Sequence, residues 1–145
     1  MISRNRRILA TIAVLAIAGL ALSLVSLQHH YASSRSSYCD FGAHFNCDMV
    51  NRSIYSEISG VPVALIGVLG YGGLLVLTTL YGKKQQVPLI LFAASLAGAV
   101  FAFYLTYIEG FVLAVWCVLC LSSLGLILAI AALSGLLMRY SKVRT

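Results

Sequence analysis

The sequence predicts an all-α membrane protein: a bundle of four transmembrane helices with an outer loop that carries a short amphipathic helix. Three observations predict it. Of 145 residues, 61% are apolar and only 10% are charged, against about 25% charged in an ordinary soluble domain. The mean hydropathy is +0.96. All 10 basic and 4 acidic residues fall outside four long apolar spans. Disorder is excluded, since it needs low hydrophobicity and high net charge. A soluble domain is disfavoured, because it would need far more polar surface.

The spans are 8–27, 61–81, 88–108 and 111–137. A helix rises about 1.5 Å per residue, so about 20 residues cross the hydrocarbon core. Long continuous apolar runs argue against a barrel, whose strands are short and alternating. The first span follows an Arg-rich start, as a signal peptide would. Its apolar run is longer than the usual one, and no small-x-small site precedes Gln28, so it is read as retained. The fourth span exceeds what a crossing needs, which predicts a tilt or a projecting end. The whole chain, 1–145, is then one membrane domain with an outer loop over 28–60.

The connectors sort by charge. Arg4, Arg6 and Arg7 precede the first span, Lys83 and Lys84 follow the second, and Arg139, Lys142 and Arg144 follow the fourth. The other side holds only Arg35 and Arg52, with the acids Asp40, Asp48, Glu57 and Glu109. The positive-inside rule then places both termini in the cytoplasm. The net charge of +6 is a topology signal. It does not point to nucleic acid, since the basic residues are scattered over three ends with no cluster.

Within the loop, 31–37 is Ser-rich and irregular. Val50, Ile54 and Ile58 then recur every four residues between polar neighbours. That pattern predicts a short amphipathic helix over 50–58, capped by Asn46 or Asp48, either lying over the bundle or acting as a solvated connector. Pro62 suits the first turn of the next helix. The connectors at 82–87 and around Glu109-Gly110 are short and force antiparallel neighbours. Ala94, Gly98 and Ala102, and Gly67, Gly70, Gly72 and Gly73, suit close helix packing in lipid. His29, His30 and His44 are read as solvated loop residues.

Four cysteines carry the chemistry. Cys39 and Cys47 lie in the outer loop, and Cys117 and Cys120 form a C-x-x-C near the start of the fourth span. The topology puts both pairs on the non-cytoplasmic, oxidising side. Residues i and i+3 share a helix face, and a helix start favours a thiolate. A static bridge within one turn closes too small a loop to constrain the chain. The C-x-x-C therefore points to redox activity. Leu121 and Leu124 continue its face one turn deeper and form an apolar wall suited to an oily electron acceptor. The loop pair alone is ambiguous between a structural bridge, a metal site and a redox pair. Its spacing is poor for zinc, and half of such a site would sit at membrane level, so no metal is expected. Two pairs on one face can form a relay by disulfide exchange. A soluble partner would meet the loop pair, and a lipid-soluble oxidant or reductant would meet the helix pair.

The order of motifs resembles the vitamin K epoxide reductase family in its minimal bacterial-type form, without a fused thioredoxin-like domain. The residues that carry the resemblance are Cys39-x7-Cys47, Ser53 six residues later, the Gly60–Tyr71 stretch and Trp116-Cys-Val-Leu-Cys120. In the DsbB-like quinone reductases the C-x-x-C comes in the first outer loop instead. The resemblance implies that Cys39 exchanges with a thioredoxin-like periplasmic or lumenal partner, that Cys47 passes electrons to Cys117, and that Cys120 faces a quinone. Ser53 would hold the loop in register, or lie on the polar face of the lid helix. Trp116 would stack near the quinone or anchor at the interface. The animal enzymes carry a Tyr where Leu124 stands and an Asn where Val63 stands, so the quinone pocket at Leu124 and Val63 lacks both polar contacts. That departure favours a quinone of ubiquinone, menaquinone or vitamin K type over an epoxide. Tyr71, Tyr104 and Tyr107 are open candidates for a hydroxyl contact.

The expected function is a quinone-dependent thiol-disulfide oxidoreductase of a bacterial inner membrane, with its active site on the periplasmic side, supporting disulfide formation in exported proteins. Its rival is a non-enzymatic membrane scaffold with two static disulfides.

Overall fold

The computed structural model describes residues 2–32, 42–81 and 83–143. Among them are five α-helices: α1 (Ile2–Tyr31), α2 (Cys47–Asn51), α3 (Val63–Leu80), α4 (Val87–Tyr107) and α5 (Val118–Lys142). All but α2 lie in segments long and apolar enough to cross a membrane. Cys39 falls outside the described residues.

Helix α1 overruns the expected 8–27 at both ends. No glycine or proline interrupts 2–7 or 28–31, so the backbone ladder continues beyond the lipid. The last span differs more. Helix α4 continues as a π-helical turn over Ile108–Leu113, ended by Ala114 in the left-handed region at φ 51. Residues 114–117 do not belong to α5, which starts at Val118 and runs on to Lys142. Residues 111–117 are therefore apolar without forming a regular α-helix, and the expected long, tilted fourth span is replaced by a π turn, an extended link and a 25-residue helix.

Helix α1 packs on α3 and α5, and α4 packs on α5. The core between them is Ile12, Ala16, Tyr71, Leu74, Leu91, Ala99, Ile127, Ile130 and Leu137. Val14, Leu69, Val76 and Val100 face outward, as helices solvated by lipid allow. Gly19 is required by close approach: a Cβ there would collide with the Tyr71 ring. Gly67 and Gly98 also meet neighbouring helices, at Ser23 and Ile127. Gly70, Gly72 and Gly73 do not, since a Cβ on any of them would meet nothing within 4 Å. At one end of the bundle Arg4 lies 4.1 Å over the Tyr140 ring, and the Asn5 amide reaches the Tyr81 hydroxyl at 3.5 Å.

The outer segment covers the opposite end. The expected 50–58 helix is not there as drawn. Helix α2 stops at Asn51, a 3-10 turn spans Ile54–Ser56, and a two-residue hairpin pairs β1 (Glu57–Ile58) with β2 (Val61–Pro62). Ser53 breaks the helix. It is extended at φ −70 and ψ 159, and its hydroxyl donates to the Val50 carbonyl at 2.8 Å, an alternative to the helical ladder. Val50 is buried, but Ile54 is 84% exposed, so the periodic apolar face is not one packed face. The hairpin turns at Ser59 and Gly60, both at positive φ (54 and 82), as a tight two-residue turn needs.

Candidate active site

Asn46 builds the start of α2, its side chain accepting from the Met49 N–H at 3.0 Å. Just before it, Phe45 pairs in parallel with Trp116. The Trp116 N–H donates to the His44 carbonyl at 2.8 Å, and the Asn46 N–H donates to the Trp116 carbonyl at 3.2 Å. One residue beyond each end of this staple stand Cys47 and Cys117. Both are fully buried and pack with Val50 and Val115. The Cys117 side chain hydrogen-bonds to both Cys47 and Cys120. Three sulfurs from two distant parts of the sequence are thus in one cluster, with Cys117 in the middle.

Cys117 is the N-cap of α5. A thiol there was expected to be acidic. Its bond to Cys120, together with burial, instead pushes the Cys117 thiol well above its ordinary value, and the bond to Cys47 offsets this only in part. The helix-start N–H of Cys120 lowers it without reversing the rise, and the Cys117 N–H itself donates to the Glu109 carboxylate oxygen Oε2 at 3.1 Å. Cys117 and Cys120 are free thiols.

Glu109 is the residue that sequence reasoning missed. It looked like a connector acid, yet it is only 2% exposed. The π turn points it inward, where it bonds to the Cys120 side chain as well as to the Cys117 amide. A faint signal existed: it is the only acid between Glu57 and the C-terminus, and it sits eight residues before Cys117 amid apolar neighbours.

Below the sulfurs lies a cavity of about 400 Å³, lined by α1, the outer segment, α3, α4 and α5. That size suits a small organic ligand. Cys120, Glu109, Ser53 and Val63 line it, and Trp116 and Leu124 do not. Leu124 turns instead to the bundle core. The Trp116 ring packs against Gly110, where a Cβ would come within 2.7 Å. Tyr55 and Tyr71 line the cavity, and the Tyr71 hydroxyl bonds to the Ser123 Oγ at 2.8 Å and donates to the Ser123 carbonyl at 2.9 Å. Tyr104 and Tyr107 are more than half exposed.

The histidines divide. His44 is exposed, as expected. His29 and His30 are not loop residues but end α1 and hold the outer segment. His29 Nδ1 lies 3.4 Å from the Asp48 carboxylate. His30 Nδ1 lies 2.6 Å from the Asn51 carbonyl, and its Nε2 lies 3.0 Å from Glu57. Arg52 bonds to the Ala32 carbonyl. Among the described residues no group of His, Cys, Asp and Glu could hold a metal ion.

A four-helix membrane bundle whose helix-start dithiol touches a loop cysteine above an apolar cavity is built for dithiol chemistry at a membrane surface. The chain belongs to the vitamin K epoxide reductase family, whose sequence model matches residues 10–135. It is accordingly an integral membrane protein of a family of thiol-disulfide oxidoreductases, which in general work with quinones and thioredoxin-like proteins.

Proposed function

We propose that this chain oxidises a thioredoxin-like protein outside the cytoplasm and passes two electrons to a membrane quinone, supporting disulfide formation in exported proteins. One observation carries the proposal: Cys117 bonds on one side to Cys47 and on the other to Cys120, which lines the cavity. Basic residues gathered at the end away from the outer segment support an orientation with both termini in the cytoplasm. A bacterial inner membrane suits that arrangement.

The partner's dithiol reduces a Cys39–Cys47 disulfide and leaves as a disulfide. The Cys47 thiolate attacks Cys117 of a Cys117–Cys120 disulfide and expels Cys120. Cys39 then displaces Cys117 from Cys47, which restores the loop disulfide and leaves Cys117 and Cys120 reduced. That dithiol gives two electrons and two protons to the quinone, forming a disulfide and a quinol. Glu109, bonded to Cys120, is the group that takes the thiol proton and returns it to the quinone oxygen. Ser53 holds the end of α2 through its bond to Val50.

The test is anaerobic reduction of ubiquinone or menaquinone analogues by the purified protein, driven by a reduced thioredoxin-like donor. One quinol should form per donor disulfide. Oxidation of the donor with no quinol formed contradicts the proposal.

A further inference from the structure

We infer that Asn51 is the polar anchor for the quinone, its side-chain amide donating a hydrogen bond to a quinone carbonyl oxygen. The inference rests on the quinone reading above and adds the group that recognises the substrate's head.

Asn51 closes α2 and is 7% exposed. Its side chain is held from one side only: the Ser26 hydroxyl donates to Oδ1 at 2.8 Å. The other end, Nδ2, is buried and has no hydrogen-bond partner among the described residues. Buried amide groups without partners are uncommon and costly, which makes each one a place to look for a missing ligand. Asn51 lines the cavity together with Cys120 and Glu109.

The chemistry of the vacant end selects the ligand group. An Nδ2 group can only donate, so it needs an acceptor. A quinone carbonyl oxygen is an acceptor on an otherwise apolar ring, which matches a cavity lined mostly by aliphatic and small side chains. The bond strengthens as the carbonyl oxygen gains electron density during reduction, so it favours the reaction as well as binding. His30 fixes the backbone of the same residue through the Asn51 carbonyl at 2.6 Å, so the amide is held from both its side chain and its main chain. The polar contact absent at Val63 and Leu124 is thereby supplied from the outer segment.

The test uses the full-length protein in detergent and two readouts. Naphthoquinone is titrated against the fluorescence of Trp116, the one tryptophan, and in competition with dimethylnaphthalene, which has the same shape and no carbonyl. Quinone reduction is then driven by a small permeant dithiol, which reaches Cys117 and Cys120 without the outer segment. Asn51→Leu should weaken naphthoquinone binding and raise its KM about 10-fold, and leave dimethylnaphthalene binding within about 2-fold. Asn51→Asp should weaken naphthoquinone in the same way, since it keeps the acceptor that Ser26 needs and supplies no donor. It serves if the leucine variant fails to fold. Unchanged preference for naphthoquinone over dimethylnaphthalene in either folded variant overturns the assignment. A wild-type protein that binds naphthoquinone but reduces none removes the electron-transfer reading and leaves the Asn51 contact to be judged by binding alone.

Discussion

The outer segment is held to the bundle along two seams, and they are built of different material. Toward α1 the seam is polar: Ser26 to Asn51, His30 to Asn51 and Glu57, His29 to Asp48. Toward α5 it is backbone and sulfur: the Phe45–Trp116 pairing, and Cys47 against Cys117. The first seam holds the segment over the cavity through side chains that can part without breaking a helix. The second sets the distance between cysteines through main-chain bonds, which tolerate little shift. The relay proposed above needs both, a cover that can admit a substrate and a sulfur contact that does not drift.

The largest effects should come from the sulfur side. Cys120→Ala is expected to abolish quinone reduction with every donor, because the last thiol is lost. Glu109→Gln should lower the rate about 100-fold, the scale of a general acid-base group. Cys47→Ala should stop reduction by the protein donor and spare reduction by a small permeant dithiol. Equal loss with both donors would mean that the loop cysteine is structural.

Gly110→Ala tests the backbone seam. Its Cβ would stand 2.7 Å from the Trp116 ring, so the ring must shift and strain the pairing with His44 and Asn46. Overpacking of this kind costs about 1–3 kcal/mol. Activity with the protein donor should fall more than activity with the small dithiol. A uniform loss would place the fault in general stability.

His30→Ala tests the polar seam and should act more weakly. Two hydrogen bonds are lost, each worth about 1 kcal/mol net. Hydrogen exchange at the amides of residues 50–53 should speed up, with quinone reduction changed only a few-fold. No change in exchange would show that the seam does not hold the segment down.

The smallest effect is a shape, not a loss. The Cys117 thiol is pushed up by its bond to Cys120 and by burial, so its thiolate fraction at neutral pH lies below that of an ordinary cysteine. Its alkylation rate in the reduced protein should still be climbing at pH values where an ordinary thiol has levelled off. A plateau at the ordinary thiol value contradicts the raised pKa.

The four helices were legible because lipid imposes long apolar runs. The details that failed were set by tertiary bonds. Residues 111–117 are as apolar as a helix, yet Ala114 turns left-handed and Trp116 pairs with the outer segment, which no local pattern announces. The 50–58 periodicity was real in sequence, but Ser53 diverted the backbone. Glu109 and the pair His29 and His30 looked like surface residues because their partners are far along the chain. Val63 lines the cavity and Leu124 does not, since α5 turns it to the core.

The contact between Cys47 and Cys117 can be tested most directly by trapping it. In a protein carrying Cys39→Ser and Cys120→Ser, each pair keeps one thiol, and no other cysteine remains in the chain. Oxidation followed by mass spectrometry should find the peptide holding Cys47 linked to the peptide holding Cys117, which requires Cα atoms within about 7 Å. Two free thiols in folded, oxidised protein would contradict the relay at its central step.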